Sequence, residues 1–464
     1  MTKNNKNNIL QTVVIGDIML DKYVYGTVER VSPESCCPIL KETSYDYQLG
    51  GAANVAKQLK RLGEDVILIG IIGSDQNGEH VKAILKQENI NCSFLVSTGA
   101  ITICKTRYIN HLHQQMFRKD SEVPLTYTPK EEQKIIEYIS KSPVNSIVIS
   151  DYNKGTISKS LCKNIICLAN KLGINVIVDI KETDINKYQG ASVVKGNKKE
   201  IERLLDQIPH KENIEEALAQ LRIALNTRYL VMTCGEEGIL AIDNNKTIIR
   251  FPSQKQTVHD VTGAGDIVTS YLSYLSNKKE LSFDQILYYS NKAANIKVER
   301  FGNSYVGINE VMETSSKLIS ATEFNMLKLG GTIVFTNGCF DIIHAGHIDL
   351  LQKAKKEGNI LVVGLNSDES IKRIKGNNRP INSLDLRIQM LSAIQYVDYI
   401  IVFNEDTPIK IIEAIKPNVL VKGGDYKLDN IVGADYISAN GGRVLTIPFI
   451  HKVSTTHIIN KIKL

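Results

Sequence analysis

The feature that most constrains this chain is a rhythm that runs, stops and starts again. Short apolar runs at Thr12–Gly16, Val66–Gly70, Ser146–Ser150, Asn175–Asp179, Ser192–Val194 and Tyr229–Thr233 are interleaved with helical stretches. Runs that are apolar at every position must be buried on both faces, the condition of parallel strands with crossover helices. Helices are expected from Gly50-Gly51-Ala52-Ala53-Asn54 to about Leu62, from about Glu79, from Gly263 toward Leu275, and over Phe283–Val298. Lys22–Tyr47, with Ser32-Pro33-Glu34 inside it, breaks the rhythm with β-branched and Tyr positions and predicts a small strand-rich lid.

Turn signals at Gly302-Asn303-Ser304 and Gly307 end the first run. Asn309–Ile319 and Ala321–Leu329 predict short helices, and a fresh strand starts at Thr332–Thr336. Ile360–Gly364, Tyr399–Val402 and Asn418–Val421 continue as strands, with helices at Leu384–Ile394 and Thr407–Ile415. The expected division is a first domain over 1–315, a linker over 316–331 and a second domain over 332–464. The halves share no internal repeat, so they are expected to be a fusion of two α/β domains.

At 464 residues each domain can bury its own core. A net charge of only +6, spread along the chain, argues against nucleic acid as the main partner. No apolar run reaches the roughly 18 residues of a membrane span, and Met1–Asn8 is polar, so the expected location is cytoplasmic. The eight cysteines, without a CxxC pair, are expected to be reduced and mostly buried, Cys339 packing beneath a site.

Gly263-Ala264-Gly265-Asp266 sets small residues and a carboxylate at a helix start. Backbone N–H groups and the helix dipole there suit a transferring phosphoryl group. Asp266 could take the proton of an attacking hydroxyl. Thr233-Cys234-Gly235-Glu236-Glu237-Gly238 follows a strand and reads either as a nucleotide loop or as an ordinary hairpin. Asn197 and Glu200 read either as a support for hydrated Mg²⁺ or as a capping box. Gly50, Gly51 and Asn54 offer close backbone access and one polar hook. Asp151 and Lys154, after the strand at Ser146–Ser150, are candidates for a polar, phosphorylated sugar, or a plain turn.

Together these motifs, in this order over about residues 10–315, resemble the ribokinase-like (PfkB) carbohydrate kinases. The resemblance implies a doubly wound sheet with a small β lid. It implies Asp266 as catalytic base, Gly263, Ala264 and Gly265 as anion hole, and Asn197 and Glu200 organising metal-bound phosphates. Thr233, Gly235, Gly238 and Asn291 would meet ATP, and Asp21, Gly50, Gly51 and Asn54 the sugar. It also makes a homodimer, completed through the lid, an expectation. Gly196 departs from a family pattern that often has Pro before the Asn, a change of loop stiffness rather than chemistry.

The second signature is Asn337-Gly338-Cys339-Phe340-Asp341-Ile342-Ile343-His344-Ala345-Gly346-His347. His344 and His347 share a helix face, and Gly346 leaves room for phosphate. Two imidazoles at a helix N-terminus can hold a triphosphate and stabilise the crowded phosphorus as pyrophosphate leaves. Zinc would need further ligands at a spacing the sequence lacks. Asn366, Asp368, Lys375 and Arg379 follow one strand, and Gly423 and Asp425 another, at a sheet edge where ligands bind. Lys353 lies two turns past His347, and Ser454, Thr455 and Thr456 open the last expected helix. Residues 332–464 resemble the cytidylyltransferase-like HxGH nucleotidyltransferases, a smaller Rossmann-like fold. The resemblance adds Asn337, Gly338 and Phe340 to the nucleotide site.

The order of the halves, with Gly16-Asp17-Ile18-Met19-Leu20-Asp21, Asn366-Ser367-Asp368 and Lys422-Gly423-Gly424-Asp425-Tyr426, is similar to a family of bifunctional heptose kinases/adenylyltransferases. That resemblance implies two ATP-consuming, Mg²⁺-dependent steps on small sugar phosphates, with no nucleic-acid or membrane partner. The residues alone leave open another sugar kinase joined to a cytidylyltransferase, and a non-enzymatic nucleotide-binding regulator.

Overall fold

The computed structural model describes residues 10–208, 213–253, 259–278, 280–312, 317–327, 330–424 and 431–448. The chain forms two compact units, Met1–Met312 and Glu313–Leu464.

In the first unit, nine strands form one sheet in the spatial order Ile248–Phe251, Ile239–Ile242, Tyr229–Thr233, Val193–Asn197, Asn175–Asp179, Val144–Ser150, Gln11–Gly16, Asp65–Gly73 and Asn91–Thr98. Ile239–Ile242 pairs antiparallel with both of its neighbours, and the other six pairings are parallel. Alternation of side chains explains the unbroken apolar runs. Val13, Ile15, Ile147 and Ile149 join the core on one face, while Val14, Leu68 and Val148 join the core on the other. The helix Ala52–Arg61 covers that second face through Ala52, Ala53, Val55, Ala56 and Leu59. Gln11–Gly16 comes first in sequence but lies inside the sheet, so the chain winds outward from it in both directions. Its carboxyl end is therefore a topological switch point, where open α/β sheets place ligands.

The lid is larger than the expected Lys22–Tyr47. Four strands, in the order Pro38–Gly51, Ile18–Val31, Cys104–Asn110 and Gln115–Ser121, make a second sheet. The second hairpin escapes pattern reading because its strands are short and carry charge on the face turned to the site.

The second unit repeats the logic with five parallel strands, in the order Tyr399–Phe403, Ile360–Asn366, Ile333–Gly338, Val419–Gly423 and Arg443–Ile447. Again the first strand is central, and its two faces feed separate cores, Phe335 and Val362 on one side, Val334 and Val363 on the other. Residues 317–327, expected within a linker, are built into this unit. Leu318 bridges Ile400, the helix Ala321–Met326 buries Phe324 in the core, and Asn325 donates to the Ala414 carbonyl at 3.0 Å. Polar turn residues hid that apolar anchor.

All eight cysteines are free; only Cys104 and Cys162 are buried, while Cys36, Cys37 and Cys167 are exposed, which corrects the expectation of mostly buried thiols. Among the described residues no helix is long and apolar enough to cross a membrane.

Gly16 fixes how tightly the switch point closes. A Cβ there would fall 2.0 Å from the Ser150 carbonyl oxygen, on backbone that cannot swing aside. Gly16→Ala is expected to destabilise the first unit by roughly 1–3 kcal/mol, the range of overpacking. Urea unfolding with a wild-type midpoint would contradict this.

Candidate functional sites

Gly263 adopts a left-handed backbone (φ 75°) and caps the helix Ala264–Ser276. A Cβ there would meet Asn303 Oδ1 at 2.6 Å, so both conformation and space call for glycine. Asp266 stands in the first turn and is buried. Asn54 Nδ2 donates to one carboxylate oxygen and the Tyr152 hydroxyl to the other, each at 2.7 Å. Burial raises the Asp266 pKa and the Asp179 charge adds to the rise, while the Asn54 and Tyr152 hydrogen bonds lower it. A desolvated carboxylate held by two neutral donors is a base poised to accept a proton. Asn54, expected on the sugar, holds the base.

Thr233, Gly235, Gly238, Ala264, Gly265 and Asn291 line one cavity of about 230 Å³ beside that helix start. Its other walls are mainly apolar, among them Ile239, Val261, Val268 and Val298, as a nucleoside requires. Asn291 Nδ2 donates to the Pro252 carbonyl at 3.0 Å, closing one end. Asn197 and Glu200 form the capping box: the Asn197 side chain accepts from Glu200 N, and Glu200 accepts from Asn197 N. Glu200 also accepts from Lys181 Nζ at 2.6 Å, and Lys181 lies over the Tyr152 ring. The capping reading is thus realised, at a place the parallel register sets beside Thr233. Among the described residues no group of three or more His, Cys, Asp or Glu side chains could cage a metal. The paired Asn197 and Glu200 oxygens, beside the nucleotide cavity, are of the kind that would hold waters of a phosphate-bound Mg²⁺.

On the side where the sugar is expected, Asp21 is buried, ion-paired with Arg107, and accepts from Asn303 Nδ2 at 3.0 Å. A Cβ on Gly50 would fall 2.5 Å from Asp21 Oδ2, so the strand Pro38–Gly51 can press against this carboxylate only through glycine. Two candidates are drawn away. Asp151 is turned into the interior, where Tyr188 Oη donates to it at 2.8 Å and Lys187 Nζ pairs with it at 2.6 Å. The Lys154 ammonium pairs with Glu122 at 2.5 Å. Tyr152 is the site residue of that loop instead. Sequence reasoning passed over it because a tyrosine between charges reads as packing. Arg107 belongs to no motif and Asn303 read only as a turn residue, so their place beside Asp21 becomes visible only in three dimensions.

In the second unit, His344 caps the helix Ala345–Lys356. The His344 and His347 rings stack with centroids 3.9 Å apart, and Phe340 packs 5.1 Å from His347. Neither Nδ1 finds a hydrogen-bond partner among the described residues. Asn337, Gly338, Phe340, His347, Asn366, Lys375, Arg379 and Gly423 line a cavity of about 470 Å³, and Cys339 lies in its wall rather than beneath it. Lys422, which opens the Lys422–Tyr426 motif, lines it too and donates to Asn337 Oδ1 at 3.0 Å. Two expected ligands point elsewhere. Lys353 pairs with Asp349 one turn back at 2.7 Å. Asp368 accepts from the buried Arg387 at 2.6 Å and from Leu384 N at 3.2 Å, so it braces the wall. Asp425, Ser454, Thr455 and Thr456 lie outside the described residues.

Burial pushes the His347 pKa down to about 4, helped by the His344 and Lys375 charges. The ring is therefore neutral at pH 7 and can donate an N–H without carrying charge. Between an ordinary 6.5 and about 4 the unfolded chain binds the extra proton, so the second unit loses stability as pH falls through that window. His347→Gln is expected to flatten this loss. Urea unfolding at pH 7 and pH 5 measures it, and an unchanged pH slope would refute the buried neutral imidazole.

Comparison with known proteins agrees with both halves. The model of pfkB family carbohydrate kinases matches residues 10–308, and the cytidylyltransferase-like model matches residues 335–461. The bifunctional protein HldE of Campylobacter jejuni subsp. jejuni serotype O:2 is 40% identical, covering 97% of this chain and 97% of that protein. The HldE of Campylobacter fetus subsp. fetus is 36% identical over 98% and 100%. Among solved structures, Escherichia coli phosphofructokinase-2 with potassium has a TM-score of 0.55 at 19% identity, over 65% of this chain and 96% of that one. Arabidopsis thaliana ribokinase with ribose and ATP gives 0.53 at 17%, over 69% and 99%. These last two show a ribokinase-like fold. Both family models fall in order on the two units, and the HldE relatives align over nearly the whole chain. The chain thus belongs to the bifunctional HldE family, as an ATP-using enzyme that joins a PfkB carbohydrate kinase to a cytidylyltransferase-like adenylyltransferase.

Proposed function

We propose that the first unit phosphorylates the C1 hydroxyl of D-glycero-β-D-manno-heptose 7-phosphate, and that the second unit converts the 1-phosphate into ADP-heptose for the lipopolysaccharide or lipooligosaccharide core. The observation that carries the kinase step is the buried Asp266 carboxylate, held by Asn54 and Tyr152 at a helix start that also lines the nucleotide cavity. Asp266 takes the C1 hydroxyl proton as the sugar oxygen bonds to the γ-phosphorus and the bond to ADP breaks. N–H groups at Gly263, Ala264 and Gly265 stabilise the charge that develops. Mg²⁺, when bound with ATP, neutralises phosphate charge, with Asn197 and Glu200 the residues placed to orient its waters.

In the second unit a phosphate oxygen of the sugar attacks the α-phosphorus of ATP and pyrophosphate leaves, with no covalent enzyme intermediate. His344 and His347 donate to the phosphate oxygens, and Lys375, Arg379 and Lys422 bring positive charge to the same cavity. A separate phosphatase removes the 7-phosphate between the steps. The enzyme works in the cytoplasm, where ATP is, and its lid pairs with that of a second copy in a homodimer.

The test is to incubate the chain with ATP, Mg²⁺ and the heptose 7-phosphate, with and without the phosphatase, and weigh the products. The 1,7-bisphosphate is expected without phosphatase and ADP-heptose with it; unchanged sugar in both would sink the assignment. Asp266→Asn is expected to lower phosphorylation by roughly a thousand-fold, within the range of a lost general base, while adenylyl transfer persists. His347→Ala is expected to do the reverse. Loss of both activities from either variant, with the fold intact, would contradict two independent sites. Excess chelator is expected to stop both reactions, and full turnover in its presence would refute the Mg²⁺ requirement.

A further inference from the structure

Lys297 is fully buried, yet it belongs neither to the sugar side nor to the nucleotide cavity. It stands in the last turn of the helix Phe283–Val298. Its ammonium donates to two backbone carbonyls, that of Asp260 at 2.9 Å and that of Arg300 at 3.3 Å. Among the described residues no carboxylate forms an ion pair with it. An ammonium so placed is costly to desolvate. Burial pushes its pKa down to about 8, the charges of Asp260 and Asp266 oppose that fall, and Arg300 adds to it. The group thus remains a cation at neutral pH, favoured by carbonyl dipoles at a helix C-terminus.

What the ammonium grips is the start of the catalytic loop. Asp260 is held at both ends: its carbonyl by Lys297, and its carboxylate by Thr262 N and Gly302 N, each at 2.8 Å. Three residues on, Gly263 turns left-handed, and the helix start carrying Asp266 follows. The loop Asp260–Asp266 and the segment 300–302 are therefore tied together around one positive charge.

We infer that Lys297 is a positioning residue for phosphoryl transfer: a built-in cation, held by backbone carbonyls as an alkali ion would be, that fixes the anion-hole loop and frees the kinase from any need for a monovalent cation from solution. This rests on the kinase reading of the first unit but not on which sugar it takes. Potassium and ammonium ions are close in size and both accept carbonyl oxygens; sodium is smaller and choline far larger.

The experiment measures phosphorylation by the full chain in choline chloride, then with added potassium, ammonium or sodium chloride. Wild type is expected to keep full turnover in choline. Lys297→Met, similar in length but uncharged, is expected to lose roughly a hundred-fold in kcat, as misplaced catalytic groups do, with the sugar KM little changed. Lys297→Ala leaves room for an ion, and its kcat is expected to recover, saturably, with ammonium or potassium but not with sodium. Adenylyl transfer by the same preparations reports that the chain is intact. A wild type that needs potassium would overturn the inference, whether or not either variant folds. So would a folded Lys297→Ala with wild-type kcat, or one that no cation rescues. If wild type leaves the heptose phosphate untouched, the substrate assignment fails instead, and ATP hydrolysis by the same unit still reports on the lysine.

Discussion

A buried carboxylate just past the first strand of each unit gathers the opposite loop by its backbone. In the first unit Asp17 accepts from Tyr152 N at 2.8 Å, Lys154 N at 3.1 Å and Thr156 N at 3.2 Å. In the second, Asp341 accepts from Ile381 N at 2.8 Å and Asn382 N at 2.9 Å, and pairs with Arg379 at 2.7 Å. Both sit at a switch point, where neighbouring loops diverge and the sheet leaves a crevice. A crevice left to itself would be filled by loops with unpaired N–H groups, which interiors do not tolerate. One acceptor with several lone pairs satisfies them together and sets the crevice wall. Tyr152 reaches Asp266, and Arg379 stands in the nucleotidyl cavity, because of these anchors.

The two sites solve different electrostatic problems on that common plan. Phosphoryl transfer to a hydroxyl needs a proton acceptor, and in the proposed mechanism Asp266 suits that role because burial and the nearby Asp179 charge work against its ionisation. Asp179 is itself held by Lys195 and Thr269, both at 2.9 Å. Lys195 Nζ lies 3.0 Å from where a Cβ on Gly265 would be, so glycine lets this ion pair sit directly under the anion hole. Attack by a phosphate oxygen needs no base, because the nucleophile arrives already ionised. The second site accordingly contains neutral imidazoles and a set of cations, while the nearby carboxylates Asp341, Asp368 and Asp406 are paired with Arg379, Arg387 and Arg373.

Much of this was legible in the sequence for a physical reason. Strands buried on both faces must be apolar throughout, and phosphate cradles must be glycine-rich at a helix start, so both leave compact, local marks. Asp266, Gly263 and the His344–His347 pair belong to that class. The lid's second hairpin does not, since a half-exposed strand with charges facing a site reads as loop. Asp151, Lys154 and Asp368 read as ligands because they are charges just past a strand end, and Lys353 because it lies two turns past His347, but in the fold Lys187, Glu122, Arg387 and Asp349 pair with them from distant or neighbouring turns. Only the fold reveals which charges have partners. Tyr152, Arg107 and Asn303 gain meaning the same way, from register and packing rather than from spacing.

Among the described residues, each site draws its contacts from its own unit. Asp266 takes its donors from Asn54 and Tyr152, and Asp21 takes its partners from Arg107 and Asn303, all within the first unit. His347, Lys375, Arg379, Lys422 and Asn337 meet within the second. The chemistry of the proposed pathway agrees with that separation. The kinase product still carries the 7-phosphate that another enzyme must remove, so it has to leave before it can return as an acceptor. A channel between the sites would carry the wrong molecule. Joining the two units in one chain therefore fixes their ratio, and the geometry of each crevice decides what is phosphorylated and what is adenylylated.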